Sequence, residues 1–488
     1  MKKDLEKKVR NATKWSFLTQ IFSKLITPLT SIILARLLTP EVFGIIATLT
    51  ILVSFTEMLA DAGFQRYIVQ NDFLDKKSLT SSLNVAFTTN LILSFIFLGI
   101  IVIFNHDISI FLGNSEIGFA IIIASLQLPL NGVSSIQIGR LRRNFEFKVL
   151  FFLGILSSMI PFLVTIPLAL FGFGYWSIIL ANLLTSIINN IFLYIKSSWK
   201  PRFQFNFKVL STMLAFSIWS LIESISIWMT TWIDMFIIAN RLNDYYLGLY
   251  RNSITIVNSI MALFTASIIP VLFSALSRLQ SDEEKFHETF MKFQKNSALF
   301  IFPIGIGSFV FRDFLTMVLL GEQWQEASIV VGLWALSSSF MIIFSAFFSE
   351  VYRAKGLPKL SFLAQVSHLI FLIPTILISS QEGFLSLVYW RTFVRLQFII
   401  IHFVFIRVIF KFSIYKIIFN LKNILFNATL MGIVGFLLAM LNSELVPQFI
   451  FILLCTILYF ILSLLFKDTR QILYPYLQII KKYNSKRN

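Results

Sequence analysis

Cysteine is almost absent. One residue, Cys455, in 488 excludes an internal disulfide framework and any cysteine-built metal cluster. Histidine is nearly as scarce, at four. No HExxH, GxSxG or P-loop spacing occurs, so the common hydrolase, zinc-protease and nucleotide-cleaving constellations have no seat. Charge is the third shortage: 13% of the chain is charged and 57% hydrophobic, against roughly 25% charged in soluble domains. That leaves too little polar surface to cover a water-exposed particle of this size. The class that fits is an all-α polytopic membrane protein.

Acidic residues are the scarcer sign, 24 against 41 Lys and Arg, for a net charge of +17. In a soluble chain such an excess would suggest nucleic acid. Here the basic residues sit between apolar runs, where they anchor topology, and no nucleic-acid partner is expected. The basic stretch Met1 to Lys14 reads as a cytoplasmic tail leading straight into a spanning helix, because the run after it is too long for a cleaved signal.

A spanning helix needs about 20 mostly apolar residues. Fourteen windows qualify. The first seven lie near 12–35, 42–60, 82–104, 117–138, 149–171, 174–195 and 211–239. The next seven lie near 247–273, 295–319, 327–349, 361–379, 384–406, 423–441 and 447–466. Polar residues interrupt the windows at 117–138 and 361–379. With the N-terminus in the cytoplasm, tails and alternate loops on that side collect 34 of the 41 Lys and Arg. The opposite side has only Arg36, Arg241, Arg251 and Arg312, while Lys24, Arg391 and Arg395 remain inside windows. Both termini are therefore expected in the cytoplasm. The outer loops are all short, which leaves no room for a folded external domain.

Shifted by 204 residues, the chain matches itself over 15–62 and 219–266. The matches include Trp15/Trp219, Ser16/Ser220, Thr27/Thr231, Ala35/Ala239, Leu38/Leu242, Gly44/Gly248 and Leu59/Leu263. This implies two parallel six-helix repeats, related by a pseudo-two-fold along the membrane normal, with a binding region where they meet. The expected division is 1–205 for a first lobe, 206–410 for a second, and 411–488 for two further helices and a basic cytoplasmic tail.

Ionisable residues inside a bilayer are costly and mark functional surfaces. Lys24 belongs to a stripe of Thr13, Ser16, Gln20, Lys24, Thr27 and Ser31 on one helical face. Such a face lines water or another helix, not lipid, and Pro28 would kink the helix one turn on. Lys24 is either a cavity cation awaiting an anion or a lysine paired within the bundle. Arg391 and Arg395 are four apart and share a face; two guanidiniums suit a pyrophosphate, or else salt-bridge to a carboxylate elsewhere. Glu223 and Asp234 are eleven apart, about three turns. They would bind a coupling proton or Na⁺, or neutralise Lys24 or the arginines. Glu57 and Asp61, four apart at the inner end of the second window, read as interfacial gate or cap residues. His368 and His402 read as packed histidines. No metal and no cofactor beyond a coupling ion is expected.

The segment Leu34-Ala35-Arg36-Leu37-Leu38-Thr39-Pro40-Glu41-Val42-Phe43-Gly44, then Asp61-Ala62-Gly63-Phe64 and Val69-Gln70, resembles the opening of polysaccharide exporters. Further pieces follow in order: Trp232-Ile233-Asp234, Leu247-Gly248-Leu249-Tyr250, Pro270, Leu276-Ser277-Arg278-Leu279-Gln280, Gly321-Glu322-Gln323-Trp324 and Ala354-Lys355-Gly356-Leu357-Pro358. Over roughly 10–400 the chain is similar to the Wzx-type lipid-linked oligosaccharide flippases, in the colanic-acid-exporter-like branch of the MOP superfamily.

That resemblance implies two six-helix lobes around a central cavity and two extra C-terminal helices. It also implies transfer of undecaprenyl-pyrophosphate-linked glycans (O-antigen, capsule or exopolysaccharide units) from the cytoplasmic to the outer leaflet by alternating access. The expected setting is a bacterial inner membrane, with a glycan polymerase and glycosyltransferases as partners. The quoted pieces are structural turns and packing positions, so Lys24, Arg391, Arg395, Gln20 and Thr27 rest on their own chemistry as substrate-binding candidates. Two rival expectations are a multidrug exporter, whose organic cations would favour an anionic or aromatic cavity, and a membrane polysaccharide polymerase or ligase, which would need a large outer loop.

Overall fold

The computed structural model describes residues 2–474, apart from the side chains at 2–14, 17, 20, 21, 24, 25, 216, 219 and 267. It is built of helices: α1 Lys2–Leu37, α2 Pro40–Asp61, α3 Phe64–Gln70, α4 Lys76–Ile103, α5 Asn105–Phe111, α6 Gly118–Ser125, α7 Gln127–Arg143, α8 Phe147–Leu170 and α9 Trp176–Lys196. There follow α10 Phe207–Arg241, α11 Asp244–Arg278, α12 Glu283–Val310, α13 Arg312–Leu319, α14 Ser328–Met341 and α15 Phe347–Ala354. The last four are α16 Lys359–Ser379, α17 Phe384–Val408, α18 Ile414–Leu441 and α19 Leu445–Leu465.

Local chemistry sets several of these boundaries. Asp75 opens α4 with a capping box, its carboxylate accepting from the Ser78 amide at 2.7 Å. Asn206, Asp282 and Ser413 cap α10, α12 and α18 through side-chain oxygens. Prolines inside α1, α8, α11, α12 and α16 are the kind of interruption that membrane helices tolerate.

Among the described residues, twelve helical stretches are long and apolar enough to cross a bilayer. A thirteenth is α12 with α13, bent by 87°. Twelve of the fourteen windows, or thirteen with the bent pair, are thus accounted for among the described residues. The first window lies on α1, whose described apolar run is only Ile26–Leu37. The window at 295–319 crosses the bend at Phe311, between α12 and α13. Both interrupted windows are helical: 117–138 is α6 and α7, broken at Leu126, and 361–379 lies in α16. Large apolar side chains such as Phe95, Ile96, Phe393, Ile400, Phe436 and Ile457 are exposed along the helices. A water-soluble protein would hide such a surface, whereas a bilayer solvates it. The chain is a multi-pass membrane protein.

The chain divides into two compact units, Met1–Asn252 and Ser253–Asn488. In the first, α1 packs along α8, α8 on α9, and α2, α3 and α4 on α7, with α10 against α2, α3 and α4. In the second, α12 packs on α14 and α18, α16 on α17, and α18 on α19. Its core is rich in fully buried aromatics, among them Phe286, Phe290, Phe302, Phe347, Phe348 and Tyr352.

The 204-residue shift has a physical counterpart inside the first unit. A Cβ added to Gly44 would strike the backbone of Asp244, and one added to Gly248 would strike the backbone of Pro40. Pro40 and Asp244 are themselves 204 apart, as are Gly44 and Gly248. Contacts that exchange partners in this way are what a two-fold axis between equivalent segments produces. The ends of α2 and α11 meet backbone to backbone because both repeats carry glycine there.

Trp324 tests how far the second unit depends on its buried aromatics. It lies in a short 3₁₀ turn after Gly321 and is fully buried. Trp324→Ala is expected to destabilise by about 3–5 kcal/mol, seen as a lower melting temperature in detergent. An unchanged melting temperature would contradict the packing described.

Candidate functional site

Two polar centres lie within the spanning helices, one in each unit. In the first, α2 presents Ser54, Glu57 and Asp61 at helical spacing, and α7 presents Gln127, Asn131 and Ser135 at four-residue steps. The Asn131 amide donates to Glu57 Oε1 at 2.5 Å, and the Ser135 hydroxyl donates to Asp61 Oδ1 at 2.7 Å. Ser186 from α9 donates to Asn131 Oδ1 at 3.0 Å, which fixes the amide so that its NH₂ faces Glu57. Gln65 Nε2 donates to the Ser135 carbonyl at 3.0 Å. From α10, Trp228 Nε1 donates to Ser54 Oγ at 3.0 Å. Gly132 lets α7 approach α4, since a Cβ there would press on Asn90 and Ser94.

Around these groups lie two adjoining cavities of about 170 and 260 Å³, both lined by Ser54, Glu57 and Asn131. The larger also reaches Asp61, Gln65, Asn90 and Ser135. Each is large enough for several waters. Two carboxylates, oriented by amide and hydroxyl donors in a wet pocket of a membrane helix bundle, can take up protons or a small cation.

The second centre is cationic. Arg391 and Arg395 on α17 are both buried. The Arg395 guanidinium lies 3.9 Å from the Trp334 ring centroid, and that of Arg391 lies 5.4 Å from it. Arg395 donates to Ser337 Oγ at 2.8 Å and Ser338 Oγ at 3.1 Å, which clamps α17 to α14. The Trp334 indole N–H donates to Asn258 Oδ1 at 3.0 Å. His368 is hydrogen-bonded to Gln397 at 3.1 Å and stacked on Phe398. His402 meets the Tyr352 hydroxyl at 3.0 Å, their rings nearly parallel. Both histidines are buried and packed.

The remaining candidates are placed as follows. Gln20 and Lys24 lie outside the described side chains, and Thr27 on the same helix is exposed. Glu223 is half exposed and pairs with Arg66 at 2.6 Å. Asp234 is buried, accepting from the Tyr250 hydroxyl at 2.8 Å and the Met235 amide at 2.8 Å. Arg251, stacked over Trp232 at 4.5 Å, supplies a nearby positive charge. Glu223 and Asp234 thus occupy separate networks on α10. Glu57 and Asp61 share one pocket. Sequence reasoning missed Gln127, Asn131 and Ser135 on α7, the neutral residues that complete this pocket; their four-residue spacing marks one polar helix face but not what it meets.

An apolar groove of about 320 Å³ lies in the second unit between α11, α12, α18 and α19. Phe264, Pro303, Phe311, Met431, Ile452 and Tyr459 are among its walls.

The family model described as "Polysaccharide biosynthesis protein" matches residues 33–329, more than half of the chain. The chain belongs to that family. Among its relatives is the succinoglycan biosynthesis transport protein ExoT of Rhizobium meliloti (strain 1021), 25% identical over 341 residues, covering 70% of this chain and 68% of that one. Another is the lipopolysaccharide biosynthesis protein WzxC of Escherichia coli (strain K12), 22% identical over 394 residues, covering 77% and 76%. The fold is similar to that of the lipid II flippase MurJ in an inward closed conformation. That match has a TM-score of 0.75 at 16% identity, over 93% of this chain and 98% of the other. An inward-facing MATE multidrug transporter of the MOP superfamily follows, with a TM-score of 0.60 at 14% identity over 78% and 93%. The helical architecture of this polysaccharide biosynthesis protein is thus that of MOP-type transporters.

Proposed function

We propose that this protein is a flippase that moves a polyprenyl-diphosphate-linked oligosaccharide from the cytoplasmic to the outer leaflet of a bacterial inner membrane. The observation that carries this reading is the family match, taken with two relatives named for polysaccharide transport and biosynthesis. Two lobes, 1–205 and 206–410, alternate access, and 411–488 adds two helices and a tail. Both termini are cytoplasmic, as the basic-residue asymmetry argues. Glycosyltransferases and a glycan polymerase are the partners that supply and consume such a cargo.

Lys24, Arg391 and Arg395, with Gln20 and Thr27, replace water around the diphosphate and lower the cost of carrying its charge through hydrocarbon. The groove beside α18 and α19 offers an apolar berth for part of the polyprenyl chain. Glu57 and Asp61 take the coupling proton or Na⁺ in preference to Glu223 and Asp234, because among the described residues these two line one cavity while Glu223 and Asp234 lie in separate networks.

An acidic pocket is also what a multidrug exporter would show. The family match and the relatives named for polysaccharide transport and biosynthesis favour a glycan cargo instead.

The test is reconstitution into liposomes with a fluorescent polyprenyl-diphosphate glycan, scored for leaflet transfer under imposed pH and Na⁺ gradients. Transfer is expected to accelerate under one of the gradients. Glu57→Gln is expected to keep the ungraded rate and lose that acceleration. Folded protein that transfers no glycan, or that moves organic cations instead, would overturn the assignment.

A further inference from the structure

We propose that the segment from Trp199 to Lys208 is an interfacial strap that binds the head groups of anionic phospholipid, through Lys200, Arg202 and Lys208 set between outward-facing phenylalanines. Residues 201–206 carry no helix or strand. Phe203, Phe205 and Phe207 alternate along the strap and are 78%, 61% and 74% exposed. Gln204, between them, points the other way. Its amide N–H donates to Thr88 Oγ1 at 2.9 Å, its Nε2 to Ser81 Oγ at 3.2 Å, and its Oε1 accepts from Asn84 at 3.1 Å. Trp199 is buried and donates to Asn84 Oδ1 at 3.2 Å. The strap is therefore pinned to α4 at three side chains; Phe203 touches Phe87 of α4 by one side of its ring, at 5.9 Å between centroids, and otherwise the aromatic edge is open.

Two constraints fix where such an edge can lie. Irregular backbone facing lipid is not tolerated in the hydrocarbon core, where its amides would go unpaired. Three adjacent exposed phenylalanines are equally out of place in water. The head-group layer satisfies both, as it does for aromatic belts. The anchoring contacts lie toward one end of α4: Ser81 to Thr88 fall within the first half of its 28 residues, about 8–18 Å from Lys76 along the axis.

Charge selects the lipid. Lys196, Lys200, Arg202 and Lys208 are exposed, and no acidic residue occurs between Asn190 and Ile222. Lys200 is already bent back over the Tyr194 ring at 4.1 Å, holding its ammonium beside the strap. Basic side chains at this level attract anionic head groups. The inference does not depend on the cargo.

The experiment uses the full chain carrying Cys455→Ser and Phe205→Cys, labelled with bimane, in phosphatidylcholine vesicles with one-fifth phosphatidylglycerol. Quenching is compared for each lipid bearing a nitroxide at acyl carbon 5 or carbon 12. Carbon 5 is expected to quench more than carbon 12, and phosphatidylglycerol at least about threefold more than phosphatidylcholine. Lys200→Gln, Arg202→Gln and Lys208→Gln together should bring the two lipids to parity while the depth stays the same. Stronger quenching from carbon 12, or equal quenching with the basic residues intact, overturns the proposal. So does absence of quenching, which would leave the strap in water and open to a soluble partner.

Discussion

A chain carrying Lys24→Gln, Arg391→Gln and Arg395→Gln is expected to reach the membrane in normal amount and to restore no surface glycan to an export-deficient cell. Each charge-assisted hydrogen bond to a diphosphate is worth about 1.5–3 kcal/mol, so each lost cation costs about 10- to 150-fold in binding. Three together put transport below detection. The competing account is that Arg395 only clamps α14 to α17, since two serine hydroxyls and an indole face already hold it. The two accounts separate in the single variants. A clamp lost in Arg395→Gln lowers the melting temperature in detergent. Arg391→Gln, which leaves the Arg395 bonds to Ser337 and Ser338 in place, should lower transport at least about tenfold without that drop. Wild-type export from the triple variant would remove the cationic site from the proposal.

Much of the architecture was legible in the sequence because the bilayer demands long apolar runs and little else. Windows such as 384–406 and 447–466 fall within α17 and nearly within α19. One detail was not legible: the chain bends by 87° between α12 and α13, and the apolar residues on either side of Arg312-Asp313 let a running average pass through the bend.

The candidate site was legible in halves. The four-residue step from Glu57 to Asp61 put two carboxylates on one face, and that face does line a pocket. The complementary face of α7 was visible only as polar interruptions of a weak window, where Gln127, Asn131 and Ser135 stand. Neutral amides and hydroxyls carry no charge signal, so nothing in the chain announced that they would meet Glu57 and Asp61. Pairings across long separations were likewise invisible. Arg66 and Glu223 are 157 residues apart, and only the packing of α3 on α10 brings them to 2.6 Å.

The second large effect is expected from Gly44→Leu, with Gly248→Leu as its equivalent in the other repeat. Neither position tolerates a Cβ while the ends of α2 and α11 stay together, because the atom met is backbone rather than a side chain that can swing away. The same region is stitched further: Asn114 is hydrogen-bonded to Asp244, and Asn240 donates to the Phe111 carbonyl at 2.8 Å. If alternating access parts these helix ends once per cycle, leucine at either glycine disfavours only the closed arrangement. Overpacking costs about 1–3 kcal/mol, enough to shift a two-state balance about 5- to 150-fold. Export should fall by a comparable factor while the protein remains inserted. In a Cys455→Ser chain, a cysteine at Asn243 should also react faster with an impermeant maleimide when Gly44 is leucine. Both glycines should give the same phenotype, since each contact is the mirror of the other across the pseudo-two-fold. Normal export with unchanged reactivity in Gly44→Leu would mean that this junction is a fixed joint, and that the moving parts lie elsewhere.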